Sequence, residues 1–485
     1  MNAPSSLSFR SAPELYRRTM HFAYVQGLYW AMMFGVGECY FSIYATHIHA
    51  PGFFFGLMTG VPSLLGPLSM IVGANVVERT KKRKWLVDFS VIIQALCYAP
   101  LVFLTFVTSE QTAYRWLLAI MLVYFTGANF CGPAWNSWIS VVVPAEERAT
   151  YFARNSRAVA FISMITKLGI AGLLYLAAKE QEGYVFALAF GLAGISRIGS
   201  YINIQRMHEP VYEHGPEATF TFWQFIRRAR ESNFVRFVLF VTLINFGTQI
   251  AGPFFLPYAI YTLKFEQWQW VLIETIAGIS SVATLLFWGT FSHRFGNKKT
   301  LQYTAATVSI IPLLWLISVN FYYLLAVNIL SGLAWAGFNL CAFNYILEAV
   351  SAPKRARCVA YFCFLTGCGN FCGAMLGGWL NEILPNKLAF AGFTIIASSP
   401  FVYLLALSAA VRMTMGAFLI GSFRELREVD PFELKDLVFY ISEMRFPVGL
   451  RFGAISDQPA KNAQVQSPVG AEKDASNPPA DSIVK

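Results

Sequence analysis

Four ionisable side chains lie inside long apolar stretches of this sequence, and their chemistry needs a specific explanation. They are Glu38, Lys167, Arg197 and Glu274. A charged group at the centre of a membrane helix costs about 2.5–3.5 kcal/mol on insertion scales, so such groups usually pair with each other or take part in function. The chemistry open to them is binding of a charged solute, uptake and release of protons, or an ion pair that holds helices together.

Glu38, within the segment MMFGVGECYF, is the strongest candidate for proton transfer. A carboxylate that is buried without a partner can take up a proton near neutral pH, as a proton-coupled mechanism requires. The alternatives are a fixed ion pair with Lys167 or Arg197, and a polar wall position with neither role. Lys167 could bind an anionic solute or neutralise Glu38. Arg197 is expected in a structural pair, and Glu274 beside a polar group of the seventh or tenth predicted helix.

Neutral amide side chains on the same apolar stretches complete the set of candidate binding residues. Asn245 and Gln249 are four positions apart, which places them on one face of a helix. A side-chain amide can hydrogen-bond either a solute or a neighbouring helix, and both interpretations stay open for each residue. The candidates of this kind are Asn136, Asn245, Gln249, Asn339 and Asn344.

The sequence lacks the residues that several other kinds of function require. The sequence has no Walker-type phosphate-binding loop, so ATP is not expected as the energy source. It offers no nucleophile, base and orienting group in combination, so an enzyme is not predicted. His47 and His49, two positions apart, make no metal site alone, and the eight cysteines offer no disulfide framework. We therefore expect no cofactor and no bound metal.

The elements that must position these residues are membrane-spanning helices. The chain of 485 residues is 56% hydrophobic and only 13% charged, whereas a soluble chain is about one quarter charged. A spanning helix needs about 20 mostly apolar residues, and a backbone within lipid must satisfy its own hydrogen bonds. The sequence therefore predicts an all-α membrane protein with twelve helices, at residues 21–46, 53–77, 86–107, 115–143, 156–178, 184–204, 234–261, 269–291, 300–318, 321–349, 358–383 and 388–411.

The basic residues give these helices an orientation. If the N-terminus is inside, the short inside loops hold fourteen Lys and Arg residues, including Arg79, Arg148 and Arg294, whereas the outside connections hold four. This asymmetry follows the positive-inside rule with both termini in the cytoplasm. It also accounts for the net charge of +10 without a nucleic-acid partner.

The twelve helices divide into two similar halves. Arg79 and Arg294 are 215 positions apart, the Phe-Gly pairs at 34–35 and 246–247 are 212 apart, and Arg148 and Arg357 are 209 apart. Three pairs of matching residues, each separated by nearly the same number of positions, indicate an internal repeat. The predicted organisation is a cytoplasmic N-terminus (1–20), a six-helix bundle (21–204), a cytoplasmic middle loop (205–233), a second six-helix bundle (234–411), and a cytoplasmic tail (412–485) that is disordered after about 455.

With this pattern of helices, loops and repeats, the chain resembles the major facilitator superfamily of transporters. Two basic loops match the family's loop motif in part. The first has Lys81 where Gly is usual, and the second has His293 in the acidic place. The stretch 134–157 looks like a signature of a largely uncharacterised bacterial branch, with Val141 where that branch is acidic. The motif residues, to which the resemblance assigns a gating role, are Glu78, Arg79, Lys82 and Arg83 in the first loop and Gly289, Arg294, Gly296 and Lys298 in the second.

The resemblance implies that helices 1, 4, 7 and 10 line a central cavity and that the two halves rock about a site near the membrane midplane. The expected function is secondary active transport of a small organic solute by alternating access, with proton coupling an open option. The expected partners are that solute and the lipid bilayer, together with protons if transport is proton-coupled. A monomer in the bacterial inner (plasma) membrane is expected. The alternative is a non-transporting member of the fold that acts in assembly or sensing.

Overall fold

The computed structural model describes residues 12–107, 109–211, 232–350, 352–385, 387–390, 393–396, 399–427 and 429. Residues 212–231 of the predicted middle loop and the predicted disordered tail lie outside the described residues. All described residues belong to one compact unit, 1–432.

Twelve helical spans cross the described unit, and eleven of them contain a helix long and apolar enough to cross a membrane. The first span is interrupted between Val36 and Phe41, in its last third, and completes the predicted twelve. The sequence prediction of an all-α membrane protein is therefore confirmed. The spans are Ala12–Val36 with Phe41–His47 (span 1), Gly52–Thr80 (2), Lys84–Leu104 (3), Glu110–Phe130 with Gly132–Val142 (4), Ala145–Leu176 (5), Glu182–Gln205 (6), Asn233–Ala251 with the irregular turns Gly252–Phe254, Phe255–Pro257 and Tyr258–Thr262 (7), Gln267–Phe295 (8), Asn297–Ile317 (9), Phe321–Ala349 (10), Ala352–Ile383 (11) and Phe401–Leu419 (12).

The last predicted helix, 388–411, is misplaced along the chain. Strands β1 (Lys387–Phe390) and β2 (Phe393–Ile396) pair antiparallel there, with Phe390 opposite Phe393. Span 12 starts only after Pro400, which occupies its N-cap position, and it continues to Leu419. Apolar residues alone do not separate a short strand pair from a helix, and the β-branched residues of β2 favour the strand.

The two ends of the bundle hold different connections, and we name each end after them. The hairpin end holds the turns after spans 1, 3, 5, 7, 9 and 11, the last of which includes β1 and β2. The terminal end holds the start of span 1, the end of span 12 and the connections between the other span pairs. Alternation of the spans places the basic loops 81–83 and 296–299 at the terminal end.

Spans 1–6 and spans 7–12 pack as two halves that meet mainly where span 2 contacts span 11 and span 5 contacts span 8. Small residues permit the first contact. A Cβ atom at Gly56 would lie 2.7 Å from the carbonyl oxygen of Ala374, and one at Gly367 would overlap the carbonyl oxygen of Ser63. Such close backbone approach is the usual way for membrane helices to associate.

The apolar core differs between the two ends. Near the hairpin end one continuous core joins both halves, with Tyr44 and Phe54 from the first half and Phe254 from the second. Towards the terminal end the core divides. One cluster around Trp138 belongs to the first half, and another around Phe237 belongs to the second. The halves are thus joined at the hairpin end and have separate cores at the terminal end.

A buried arginine stabilises a proline-containing helix in the second half. Pro312 lies within span 9 and has no N–H to bond the carbonyl oxygen of Val308, four residues earlier. The Arg412 side chain of span 12 donates to that oxygen from Nη1 at 2.9 Å, and from Nη2 to Ser408 Oγ at 2.7 Å. Arg412 therefore satisfies a backbone group that would otherwise be buried without a donor.

This contact predicts a coupling between two substitutions. Arg412→Met should destabilise the protein more in the native background than in the Pro312→Ala background, by about 1 kcal/mol, because an alanine N–H can bond the Val308 oxygen itself. Reversible unfolding in mixed detergent micelles measures the double-mutant cycle. Pro100→Ala in span 3 is the matched control, and it should show no coupling to Arg412→Met. Strictly additive effects of Arg412→Met and Pro312→Ala would contradict the role given to Arg412.

Candidate functional site

Glu38 lies where span 1 loses its regular helix. The helix ends at Val36, and Glu38–Tyr40 form a single 3₁₀ turn before the helix resumes. Gly37 permits this break next to span 3, since a Cβ there would lie 2.8 Å from the Tyr98 ring. The break directs the Glu38 carboxylate towards span 4, where Tyr124 Oη donates a hydrogen bond to Glu38 Oε2 at 2.8 Å.

The partner of Glu38 is therefore a tyrosine, and the alternative of a close ion pair with Lys167 or Arg197 is wrong for this structure. Tyr98 Oη lies 3.3 Å from Tyr124 Oη, and the sulfur of Met33 is within 3.0 Å of both hydroxyls. A tyrosine hydroxyl can donate to a carboxylate, or accept from a protonated one. The contact thus suits both protonation states of Glu38.

Glu38 borders a cavity of about 410 Å³ between spans 1, 2 and 4, which we call the Glu38 cavity. Its polar lining residues are Glu38, Ser42, Thr59, Ser63 and Asn129. The other walls are apolar and include Phe41 and Met121. A cavity of this size, with a few polar groups on largely apolar walls, suits a small organic molecule.

Lys167 and Glu274 form an ion pair between the two halves. Lys167 Nζ of span 5 lies 2.6 Å from Glu274 Oε2 of span 8. Trp270 Nε1 donates to the other carboxylate oxygen at 2.9 Å, and Tyr40 Oη donates to the backbone oxygen of Lys167 at 2.5 Å. The expected partner of Glu274 on helix 7 or 10 is corrected to Lys167, because spans 5 and 8 face each other across the interface.

Arg197 is buried inside the first half and has neutral partners. Its Nη1 donates to Ser200 Oγ at 3.2 Å, and its Nη2 hydrogen-bonds Gln94 Oε1. Ser200 Oγ donates in turn to Gln26 Oε1 at 3.0 Å. The structural pair expected for Arg197 is thus a polar network across spans 1, 3 and 6, without a carboxylate at ion-pair distance among the described residues.

The predicted amides are distributed unequally. Asn245 and Asn339 line a cavity of about 290 Å³ between spans 7, 10 and 11, and Asn245 also donates to the Val241 oxygen at 2.9 Å. Gln249 lies further along span 7, with its side-chain oxygen close to Gly252. Asn136 is exposed on span 4 and Asn344 half-buried on span 10. The structure therefore brings two of the five amides to one cavity.

The first basic loop is held within its own half. The backbone N–H of Arg83 hydrogen-bonds the Glu209 carboxylate after span 6, and Arg83 Nη1 donates to the Ser137 oxygen at 3.2 Å. Lys84 Nζ donates to the oxygen of Gln205 at 2.8 Å. The other three motif residues, Glu78, Arg79 and Lys82, are exposed.

The second basic loop repeats this arrangement. Gly296 has a φ angle of +90°, a conformation that L side chains rarely adopt, and it ends span 8. The N–H of Lys298 donates to Glu425 Oε2 after span 12 at 2.7 Å, and its Nζ lies 5.6 Å from the Phe423 ring centre. Arg294 is exposed over Phe295, and a Cβ at Gly289 would meet open space. In both halves the basic loop thus anchors the segment after the last span.

Contacts between the halves close the hairpin end. Glu182 Oε2 accepts a hydrogen bond from Gln267 Nε2 of the second half at 3.0 Å and lies 3.0 Å from His47 Nδ1. Tyr261 Oη donates to the backbone oxygen of Thr46 at 3.2 Å. The His49 ring stacks on the Tyr261 ring with centres 6.3 Å apart. Together with the Lys167–Glu274 pair, these contacts join the halves at and near one end.

The sequence alone did not single out several residues of these clusters. They are Gln94, Tyr124 and Ser200, together with Arg412 of span 12. A signal existed for Arg412, because it follows Arg197 by 215 positions, the spacing that separates Arg79 from Arg294. The misplaced twelfth helix, predicted to end at 411, left Arg412 outside the membrane region. The three other residues gain their roles only through contacts between distant spans.

Comparison with known sequences gives two partial matches. The family model of the Major Facilitator Superfamily matches residues 237–414, which cover nearly all of spans 7–12. An uncharacterized transporter of Buchnera aphidicola subsp. Schizaphis graminum (strain Sg) is 27% identical over 128 residues. That match covers 26% of this chain and 31% of the relative.

Solved structures share the fold over most of the chain. A mutant of the nucleoside transporter NupG superposes with a TM-score of 0.64 at 14% identity, covering 84% of this chain and all of the other. The D-xylose-proton symporter gives a TM-score of 0.62 at 11% identity, covering 87% and 100%. An inward-facing bacterial homologue of the human lysosomal transporter Spinster gives 0.54 at 17% identity, covering 86% and 95%. At these identities the likeness describes the fold.

Proposed function

The chain belongs to the major facilitator superfamily, and on this premise we propose that it is a secondary active transporter that moves a small organic solute by alternating access. The observation that carries the proposal is the difference between the two ends of the bundle. At the hairpin end the halves share one core and a set of polar contacts, whereas at the terminal end each half has its own core. This arrangement is expected of one state in an alternating-access cycle.

The terminal end is proposed to face the cytoplasm, which makes this structure inward-facing. The loops at that end hold the predicted inside cluster of basic residues, including Arg79 and Arg294. Short loops that are rich in Lys and Arg are retained on the cytoplasmic side of the membrane. Both termini are then cytoplasmic, and the proposed location of the monomer is the bacterial inner membrane.

In the proposed mechanism the Glu38 cavity binds the solute, and Glu38 carries the coupling proton. The cavity combines one ionisable group with hydroxyl and amide groups on apolar walls. Tyr124 gives the Glu38 side chain a partner in both protonation states. The nucleoside and xylose transporters that share this fold are named for polar organic solutes, and we propose a solute of comparable size here.

The Lys167–Glu274 pair is proposed to act as a latch between the halves. The pair joins span 5 to span 8 near the hairpin end and must separate when that end opens. Charge-assisted hydrogen bonds contribute about 1.5–3 kcal/mol. Since the Glu274 side chain is 41% exposed, we expect the lower part of that range, which is enough to bias the equilibrium between two states without fixing it.

Cross-linking the hairpin end tests whether the halves move. A Cβ at Gly52 would lie 3.5 Å from Asn381 Cγ of the other half. Gly52→Cys with Asn381→Cys, in a protein whose native cysteines are replaced, should react with a short bis-methanethiosulfonate reagent. Uptake into proteoliposomes of a solute chosen by thermal-shift screening should then fall at least about tenfold and recover after reduction, because a closed hairpin end cannot admit solute.

The control pair is Thr105→Cys with Gly183→Cys. It lies at the same end but within the first half, where a Cβ at Gly183 would be 3.6 Å from the Thr105 oxygen. Its cross-link should leave uptake unchanged. If the cross-link between the halves also leaves uptake unchanged, the halves do not rock in the proposed way. If no wild-type uptake of any screened solute is found, a non-transporting role in assembly or sensing replaces the proposal.

A further inference from the structure

We propose that Arg197 forms a second solute site, distinct from the Glu38 cavity, which binds the carboxylate group of an organic acid and so names the solute class of the transporter. This inference rests on the proposed function and concerns a second cavity, enclosed by spans 1, 3, 4, 5 and 6. The cavity measures about 380 Å³, and we call it the Arg197 cavity. It lies towards the terminal end, where the two halves have separate cores.

The guanidinium group of Arg197 keeps unused hydrogen-bonding capacity. An arginine offers five N–H donors, and the two partners of Arg197 are the neutral oxygens of Gln94 and Ser200. Its Nε has no partner in the described part of the chain. Arg197 is only 5% exposed. A buried cation without an anionic partner is costly, and an anion that enters its cavity relieves that cost.

The remaining walls of the Arg197 cavity suit the body of an organic acid. Trp30 and Trp135 contribute aromatic surface, and Gln26 and Asn155 contribute amides. The Asn155 side-chain oxygen is buried and has no partner among the described residues. A ligand hydroxyl or N–H group could donate to it. The guanidinium fork is suited to the paired oxygens of a carboxylate, so the acid group is assigned to Arg197 and the planar or apolar body to the tryptophans.

The equivalent arginine of the second half shows what a structural role looks like. Arg412 follows Arg197 by 215 positions and is equally buried, and its Nε also has no partner among the described residues. Its guanidinium, however, donates to the backbone oxygens of Val308 and Thr248 as well as to Ser408 Oγ. The neighbouring cavity is smaller, about 240 Å³, and its walls are mostly aliphatic. The difference therefore lies in the surroundings: Arg412 binds carbonyl groups of the fold beside an aliphatic cavity, whereas Arg197 hydrogen-bonds two side chains and lies against amides and aromatic rings.

Thermal unfolding of the purified full-length protein tests the assignment. The probes are benzoate, 4-hydroxybenzoate and hexanoate, each compared with its neutral amide at equal concentration. At least one carboxylate should raise the unfolding temperature of the wild type, and its amide should not, because the amide lacks the charge that pairs with Arg197. Arg197→Gln should weaken that binding about tenfold or more. Arg412→Gln, the matched control, should retain it.

A second variant keeps the test decisive if Arg197→Gln fails to fold. Asn155→Ala removes an amide whose oxygen has no partner among the described residues, so this variant should fold. It should weaken the binding of 4-hydroxybenzoate more than the binding of benzoate. The inference is overturned if no carboxylate stabilises the wild type, if acids and amides act alike, or if both variants bind like the wild type. A protein that passes the cross-linking test but shows no preference for acids would lose this assignment and keep its transport function.

Discussion

Glu38→Gln is expected to abolish proton-driven accumulation of the solute while leaving exchange of solute for solute intact. Glutamine keeps the size and hydrogen-bonding capacity of Glu38 but cannot take up or release a proton. The Tyr124 hydroxyl can still donate to the amide oxygen, so the local structure should survive. In proteoliposomes with an imposed proton gradient, accumulation should fall to the level that simple equilibration gives. Counterflow without a gradient should continue at a rate close to that of the wild type.

Asp88→Asn is the control for this experiment. Asp88 is a carboxylate of span 3 that accepts a hydrogen bond from Gln205 Nε2 of the same half at 2.7 Å, and it lies outside the Glu38 cavity. Its substitution should leave gradient-driven accumulation intact. Normal accumulation by Glu38→Gln would remove Glu38 from the coupling mechanism. Loss of both accumulation and counterflow would assign Glu38 to solute binding rather than to coupling.

Reversal of the charge at Lys167 should open the hairpin end. Lys167→Glu places two carboxylates opposite each other across spans 5 and 8, and like charges repel in a partly desolvated interface. Loss of the attractive contact alone, about 1.5 kcal/mol, corresponds to roughly tenfold in the equilibrium between closed and open states. The rate at which cysteines at positions 52 and 381 cross-link should therefore fall at least about tenfold, and solute uptake with it.

The swapped pair Lys167→Glu with Glu274→Lys provides the decisive comparison. It restores opposite charges across the same two spans, so cross-linking and uptake should recover most of their wild-type rates. Arg197→Gln is not a substitute control, because that residue is assigned to ligand binding. If the swapped pair performs no better than Lys167→Glu alone, the contact is not a latch, and Lys167 or Glu274 has a separate role.

The three charged positions of the first half now have distinct proposed roles. Glu38 lies in a cavity with spans 2 and 4, Arg197 in a cavity with spans 3 and 5, and Lys167 at the boundary with span 8. The experiments on Glu38 and Arg197 therefore address two different cavities of the same half.

The second half has a different balance of residues. Arg412 stabilises the Pro312 region of span 9, and Asn245 and Asn339 line a neutral cavity. Among its described residues, the charged one that pairs with the first half is Glu274, through Lys167. The sequence repeat therefore preserves the architecture of both halves, whereas the charges assigned to solute and proton lie in the first half.

The sequence by itself determined the membrane fold, the number of spans and the identity of the buried charges. These features depend on local composition, because about 20 apolar residues are needed to cross a bilayer and a charge within such a stretch is visible without knowing its neighbours. The offset between repeated landmarks also related the two halves to each other from residue types and spacing alone. The same local criterion failed at 388–411, where apolar residues form β1 and β2 before span 12.

Only the tertiary structure decided which charge meets which partner. Glu38 has Tyr124, Lys167 has Glu274, and Arg197 has Gln94. The partners in these contacts are 86, 107 and 103 positions apart in the chain. Spacing along one helix fixes the face on which a residue lies, but the rotation and packing of two helices decide what that face contacts. The sequence thus identified residues able to do chemistry, and the packing of the spans placed them in an ion pair between the halves and in two cavities.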